Sequence, residues 1–387
     1  MKILHVVPTY LPAVRYGGPI FSVHALCRAL AEGGDEVEVY TTNVDGPGTL
    51  DVPIGERQVL DGVGVTYFPV TSPRRLYRSP ALGSALAEGV RTFDLVHLHS
   101  TFLWPTQRAA RAAESAGVLF VLSPRGMLCP ELIEERGRRR KRAWIRLFEQ
   151  RTWERAAFLH ATSGLEERDL RRLGVRTPIE VVPNGVDLPA THVVESRSDP
   201  ARPLELLFLG RLSWKKGLAD LIDALRGLPP CRLVLAGPDD EGLREALEAR
   251  AREHGVASRL RFAGCVQGDA KERLLRSADA LVLPSHGENF GNVVLEALAA
   301  GTPVLCTDRV GACDVVSEAR AGLVTNTGPA SLHEGLQRLL ALSPFERRAM
   351  GGRGREAMRR FTWRSVATRL RTAYERARTV SPIETAA

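Results

Sequence analysis

With 387 residues, 44% of them apolar and 25% charged, the chain is too hydrophobic to stay disordered and too long for one core, which implies two domains. The formal net charge of +8 would suit nucleic acid, but no recognition fold or aromatic platform accompanies the basic residues, so that class is excluded. Six cysteines (Cys27, Cys129, Cys231, Cys265, Cys306 and Cys313) are scattered without a disulfide framework or a Cys/His metal spacing, which fits a reducing cytosol.

In chain order, residues 2–8 read as a first strand and 20–32 as a helix ended by Gly33 and Gly34. Between them lies Tyr16-Gly17-Gly18-Pro19, a Gly-rich turn without the spacing of a nicotinamide-binding fingerprint. Residues 36–42, 63–68, 95–99, 118–122 and 157–161 read as further strands. His97 and His99 alternate on one strand and so point the same way. His99, at the carboxyl end, is a candidate for substrate contact. His5, His24, His160, His192, His254 and His333 read as structural or surface residues, and His286 neighbours an acidic loop. The segment 136–148 joins a basic run to Trp144, Ile145, Leu147 and Phe148. Such a pattern suits docking on an anionic membrane surface, or a helix whose apolar side lies on the core.

Residues 187–203 are polar, Pro-bearing and unperiodic, and mark a linker between a domain of residues 1–186 and one of 204–362. In the second domain a short strand, 206–210, runs into Arg211-Leu-Ser-Trp-Lys-Lys216-Gly217. Strand-then-glycine signals follow at 233–238 and 260–266, bringing Gly237 and Val266 to strand ends, with helical stretches at 241–254 and 269–277. Asp239 and Asp240 read as a helix cap with first-turn charge, or as a metal pair. A strand at 280–284 breaks into Ser285-His-Gly-Glu288-Asn289-Phe290-Gly291-Asn292. A helix then carries Val293, Val294, Ala297 and Leu298 at helical spacing, with Glu296 inside it, and stops at Gly301 before Pro303. Two carboxylates beside a helix start offer hydroxyl acceptors next to an anion site, as a nucleotide sugar needs. Strand–helix alternation in both halves predicts an α/β fold with parallel sheets and ligands beyond the strands' carboxyl ends. The stretch from Trp363 to Tyr374 is helical in period.

Glu288-Asn-Phe-Gly291 followed by Glu296-Ala297 resembles the E-x7-E signature of retaining glycosyltransferases of family 4. Arg211 to Gly217 resembles that family's phosphate clamp. The resemblance spans nearly the whole chain and is strongest from 204 to 308. It implies the GT-B architecture: two Rossmann-like doubly wound domains facing a cleft, with a last helix (363–387) crossing back to the first domain. It also implies Arg211 and Lys216 on a nucleotide diphosphate, Glu288 on the donor sugar, Glu296 on the ribose, and Gly17 and Gly18 close to the donor phosphates. Gly237, Val266, Asn289, Phe290, Gly291 and Asn292 complete the donor-binding set. The cations at Arg211 and Lys216 take the place of a metal, and no cofactor is required.

The chain departs from the family at Ser123-Pro-Arg125-Gly-Met, where relatives commonly carry a histidine facing the reacting sugar. An arginine stays protonated and cannot act as a base. Arg125 could bind an anionic acceptor or the donor phosphate, or serve a structural pairing. If configuration is retained by same-face attack, the leaving phosphate oxygen can take the acceptor's proton. The reading is therefore transfer of a sugar from a nucleotide-diphosphate donor to a saccharide or lipid-linked acceptor, in polysaccharide or glycolipid synthesis. A nucleotide-sugar epimerase or hydrolase is the alternative, and a non-catalytic nucleotide-sugar sensor a third class. With no long apolar run and no signal peptide ahead of the first strand, a cytoplasmic enzyme is expected, peripheral on the membrane's inner face if 136–148 docks there.

Overall fold

Apolar runs too short for helices, and buried on both faces, set the two sheets. The computed structural model describes residues 1–135, 138–189 and 202–380. Met1–Gly185 with the segment that begins at Trp363 form one unit, and Val186–Thr362 the other. Ten strands lie in the first unit: β1 (Lys2–Val7), β2 (Glu36–Thr42), β3 (Val44–Asp45), β4 (Gly48–Thr49), β5 (Arg57–Leu60), β6 (Val63–Phe68), β7 (Leu95–His99), β8 (Phe120–Ser123), β9 (Leu159–Ala161) and β10 (Ile179–Val181). Eight form a sheet in the order β10-β9-β8-β7-β1-β2-β6-β5, and β3 with β4 make a small hairpin. All the pairings of the large sheet are parallel except β5 with β6, an edge pair that sequence periodicity did not show.

The second unit holds β11 (Leu204–Leu209), β12 (Cys231–Ala236), β13 (Leu260–Gly264), β14 (Ala280–Leu283), β15 (Val304–Thr307) and β16 (Gly322–Thr325). Their order is β13-β12-β11-β14-β15-β16, parallel throughout, so the chain starts in the middle and winds outward twice. Loops after β11 and β14 therefore flank the point where strand order reverses, which is where open α/β sheets leave a crevice.

The helix Trp363–Val380 belongs to the first unit. Val366, Leu370, Ala373 and Tyr374, one stripe at helical spacing, are buried with Leu26 and Leu30 of the helix Gly18–Glu32. Gly185 lets the chain pass Trp363, since a Cβ there would come within 2.7 Å of the indole ring. The linker reading falls mostly on residues 190–201, which lie outside the described residues, as does His192.

Candidate functional site

The crevice of the second unit is built from two loops held backbone to backbone. After β11, Gly210 leads into Arg211 and a single turn of 3-10 helix, Trp214–Lys216. After β14, His286 donates its N–H to the Lys215 carbonyl at 2.8 Å. Gly217 takes a φ of +64°, and a Cβ there would lie 2.1 Å from the Pro284 carbonyl oxygen, so only glycine lets the loops meet. This close approach delivers the Lys216 ammonium to the Glu288 carboxylate, an ion pair whose side chains are 19% and 24% exposed. Glu288 is itself fixed on both sides: its N–H donates to Arg309 at 2.9 Å, and its carbonyl accepts from Gly311 at 3.0 Å.

Gly291, with a φ of +87°, precedes the helix Asn292–Ala299. Phe290 is buried beneath this turn, while Asn289 and Asn292 stay partly exposed. The β12 loop joins the same rim. Gly237 donates its N–H to Gly264 at 2.7 Å and passes so near Gly210 that a Cβ would sit 1.9 Å from its carbonyl oxygen. Val266, after β13, is partly buried against the core. Arg211 is exposed and makes no ion pair among the described residues. Asp239 accepts from the N–H groups of Leu243 (2.7 Å) and Arg244 (3.0 Å), so it caps the helix Arg244–Glu253.

Glu296 has a partner that sequence reasoning missed. Lys271, on the helix Gly268–Ser277, brings its ammonium 2.7 Å from Glu296 Oε2. A lysine on an ordinary amphipathic helix carries no signal that would single it out.

In the first unit, strand order reverses between β1 and β7. Gly17, after β1, has a φ of +71° with nothing within 4 Å of a Cβ placed there. Gly18 is already the first residue of the helix Gly18–Glu32, two positions earlier than its apolar pattern implied. His99 is buried at the end of β7, its Nε2 2.9 Å from His5 Nδ1 and its Nδ1 3.4 Å from an Arg125 Nη. His97 is buried between the Tyr374 hydroxyl (2.6 Å) and Ser123 Oγ (2.9 Å). Ser123 Oγ reaches His160 Nδ1 at 2.8 Å, and His160 Nε2 reaches the Val182 carbonyl at 2.8 Å.

The ends of these chains fix the protons. A carbonyl only accepts, so His160 carries its proton on Nε2 and accepts a hydrogen bond at Nδ1 from the Ser123 hydroxyl. Ser123 then accepts from His97 Nε2, and Tyr374 donates to His97 Nδ1. Arginine only donates, so His99 accepts at Nδ1 and donates from Nε2 to His5. Donor atoms of His5, His97 and His99 come within 4.8 Å of one another. Both nitrogens of His97 and of His99 are nonetheless engaged, beside a guanidinium that repels a cation.

Burial first, and the Arg125 charge next, push His5 and His160 down to about 3. Burial likewise holds His97 and His99 well below the usual imidazole range. Neutral in the folded state, these rings take up protons on unfolding once pH falls below about 6.5, so stability drops as pH falls from there toward 3. Between pH 7 and 5, His5 and His160 together should remove about 4 kcal/mol. Urea unfolding at both pH values checks this, and a flat profile would show that the rings are not enclosed.

The apolar residues of the basic segment divide between core and surface. Among the described residues, Arg138 and Arg142 pair with Glu134, and Ile145 packs on the core. Leu147 stands 68% exposed. Glu149 is fully buried at the end of a π-turn, Ile145–Glu149, and accepts from the Phe102 N–H (2.7 Å) and the Trp144 indole (2.8 Å). It steadies a loop after β7 in which Ser100 and Phe102 both have left-handed backbone, φ +71° and +61°. No helix of the described residues is long and apolar enough to cross a membrane.

Residues 16–189 match Glycosyltransferase Family 4, and residues 195–357 match Glycosyl transferases group 1. A phosphatidyl-myo-inositol mannosyltransferase of Mycobacterium leprae is 30% identical over 380 residues, 93% of either chain. A D-inositol 3-phosphate glycosyltransferase of Jonesia denitrificans is 28% identical over 422 residues, covering 100% of this chain and 97% of that one. The fold is that of sucrose-phosphate synthase from Thermosynechococcus elongatus, at TM-score 0.76 and 22% identity over 98% of this chain and 100% of that one. Anabaena HepE in complex with UDP and glucose matches at TM-score 0.71 and 20% identity, over 97% and 100%. A doubly wound sheet in each unit, the two family matches in tandem and a relative aligned over nearly its whole length agree: the chain is a glycosyltransferase of family 4 with the GT-B fold.

Proposed function

We propose that this glycosyltransferase moves a hexose-type sugar from a nucleotide-diphosphate donor to a saccharide or lipid-linked acceptor, with retention of configuration and without a metal. One observation carries the reading: the loops after β11 and β14 meet at the switch point, and there place Lys216 against Glu288 beside the start of the helix Asn292–Ala299. A departing nucleoside diphosphate gains negative charge as the glycosidic bond breaks. Lys216 and Arg211 would neutralise that charge where it develops, and the helix N-terminus would add its partial positive charge. Glu288 would then be free to hold donor-sugar hydroxyls, and Glu296, steadied by Lys271, the ribose hydroxyls. In the first unit, Gly17 and Gly18 would offer a backbone turn for a phosphate, and His99 and Arg125 would serve the acceptor. Same-face attack needs no protein base, which fits an arginine standing at the position of the family histidine.

Support for the donor class includes HepE, whose structure holds UDP and glucose. The acceptor class draws on relatives named for inositol phosphate and phosphatidyl-myo-inositol. Thermal-shift measurement against UDP-, GDP- and ADP-sugars should single out one base by a raised melting temperature. NMR of the product then reads the anomeric configuration, and turnover in EDTA should equal that without it. Free sugar as the sole product would favour hydrolysis, and an inverted linkage would remove the same-face mechanism.

The basic segment is proposed to rest on anionic lipid, with Leu147 inserted and the cations about 138–146 at the headgroups. Sedimentation with phosphatidylglycerol vesicles should fall steeply as salt rises, and Leu147→Ser should weaken it further. Equal sedimentation with neutral phosphatidylcholine vesicles would defeat the proposal.

A further inference from the structure

We infer that Arg125 is an oxyanion receptor in the first unit, selecting an acceptor that carries a phosphate or carboxylate group. This deepens the glycosyl-transfer reading and rests on it.

Arg125 follows β8 and stands at the carboxyl ends of the parallel strands, where such sheets bind ligands. It is a non-glycine residue with a φ of +56°, an unfavourable backbone that survives only where its surroundings impose it. Among the described residues its guanidinium bonds to neutral groups. One Nη donates to Asn184 Oδ1 at 3.0 Å, and the other reaches His99 Nδ1 at 3.4 Å, a long contact. Its Nε is buried with no acceptor among the described residues. Arg125 forms no ion pair among them either.

The carboxylate whose field reaches it most strongly is that of Glu166. Both oxygens of Glu166 are already taken, Oε1 by the Gly126 N–H (2.6 Å) and Oε2 by the Thr162 N–H (2.8 Å) and hydroxyl (2.9 Å). The imidazoles of His5, His99 and His160 lie in the Arg125 field and are held neutral. The result is a cation largely stripped of water, short of one acceptor and lacking a counter-charge in contact. Buried charges are otherwise paired, and one left unpaired is costly. The residue as a whole keeps partial exposure, so an anion can reach it. A guanidinium fork fits two oxygens of a phosphate or carboxylate at once, which a lysine cannot do. A purely structural arginine would have drawn in the carboxylate that this site leaves occupied elsewhere.

Inorganic phosphate and glucuronate, titrated separately into the full chain and followed by calorimetry, test the inference and distinguish the two acceptor classes. With the one of UDP, GDP or ADP that binds held at saturation, so that the proposed Lys216 clamp is filled, wild type should still bind one or both anions. Arg125→Gln should lose at least tenfold, and Arg125→Lys should retain an intermediate affinity. UDP, GDP and ADP are run in parallel, and the one that binds wild type should bind Arg125→Gln within about twofold, which also shows that this variant is folded. If Arg125→Gln does not fold, Arg125→Lys decides: affinity equal to wild type overturns the inference, because the fork would then be irrelevant. Anion binding kept at wild-type strength in Arg125→Gln, with the clamp so filled, overturns it as well. Failure of all three nucleotides to bind would instead defeat the proposed nucleotide-diphosphate donor, whatever the anions do.

Discussion

Lys216→Ala is expected to lower kcat/KM by about tenfold to a thousandfold, the range for losing a group that stabilises developing charge. Arg211→Ala should fall in the same range. The two differ in what they do to the resting protein. Arg211 is exposed and makes no ion pair among the described residues, so its removal should leave stability within about 0.5 kcal/mol of wild type. Lys216 is paired with Glu288, and its removal leaves that carboxylate without its cation. Glu288 keeps about a quarter of its side chain in water, so the stability lost should still be small. Because Lys216 and Glu288 touch, their substitutions should not add. Lys216→Ala with Glu288→Gln should cost less than the sum of the two single changes. Initial rates with saturating acceptor, together with urea unfolding, separate chemistry from folding. Wild-type turnover in both single variants would refute the clamp.

How much of this was legible in the sequence follows from which contacts are local. Each half announced its parallel sheet because stretches such as 206–209 of β11 and the whole of β14 are unbroken apolar runs ending in glycine or proline loops. The Arg211 to Gly217 turn and the Glu288 to Gly291 loop were readable for the same reason: each is one strand end and its loop. Their meeting was not readable, because it depends on β11 lying beside β14, and no residue spacing states strand order. The histidines make the point more sharply. His5, His97 with His99, and His160 sit on β1, β7 and β9, up to 155 positions apart, and converge only through the order β9-β8-β7-β1. Tyr374 joins them from the helix Trp363–Val380, whose buried stripe was legible but whose hydroxyl partner was not. Likewise Lys271 looks like any solvated lysine until the helix Gly268–Ser277 is set beside Asn292–Ala299. The edge strand β5 escaped because its pattern is half exposed and its partner antiparallel.

The two carboxylates should fail in different ways, because each is held by a different lysine. Glu296→Gln is expected to weaken binding of both the nucleoside diphosphate and the intact donor by about 1–3 kcal/mol, the cost of a lost hydrogen bond to a charged group. Lys271→Ala should act in the same direction and more weakly, since it only frees Glu296 from its 2.7 Å partner. Glu288→Gln should behave otherwise. In the resting protein Glu288 occupies the ammonium proposed for the diphosphate, so the amide should leave diphosphate affinity unchanged or a few-fold tighter. Transfer should nonetheless fall, because the carboxylate's proposed partner is the sugar being moved. Calorimetry with the diphosphate alone and initial rates with the full donor resolve the pattern. Lost diphosphate affinity in Glu288→Gln, with normal affinity in Glu296→Gln, would mean that the donor lies in the reverse orientation. If neither change alters binding or rate, the active site lies elsewhere than at this switch point. A loss in Lys271→Ala larger than in Glu296→Gln would instead give Lys271 its own contact with the donor, as a third phosphate-binding cation beside Arg211 and Lys216.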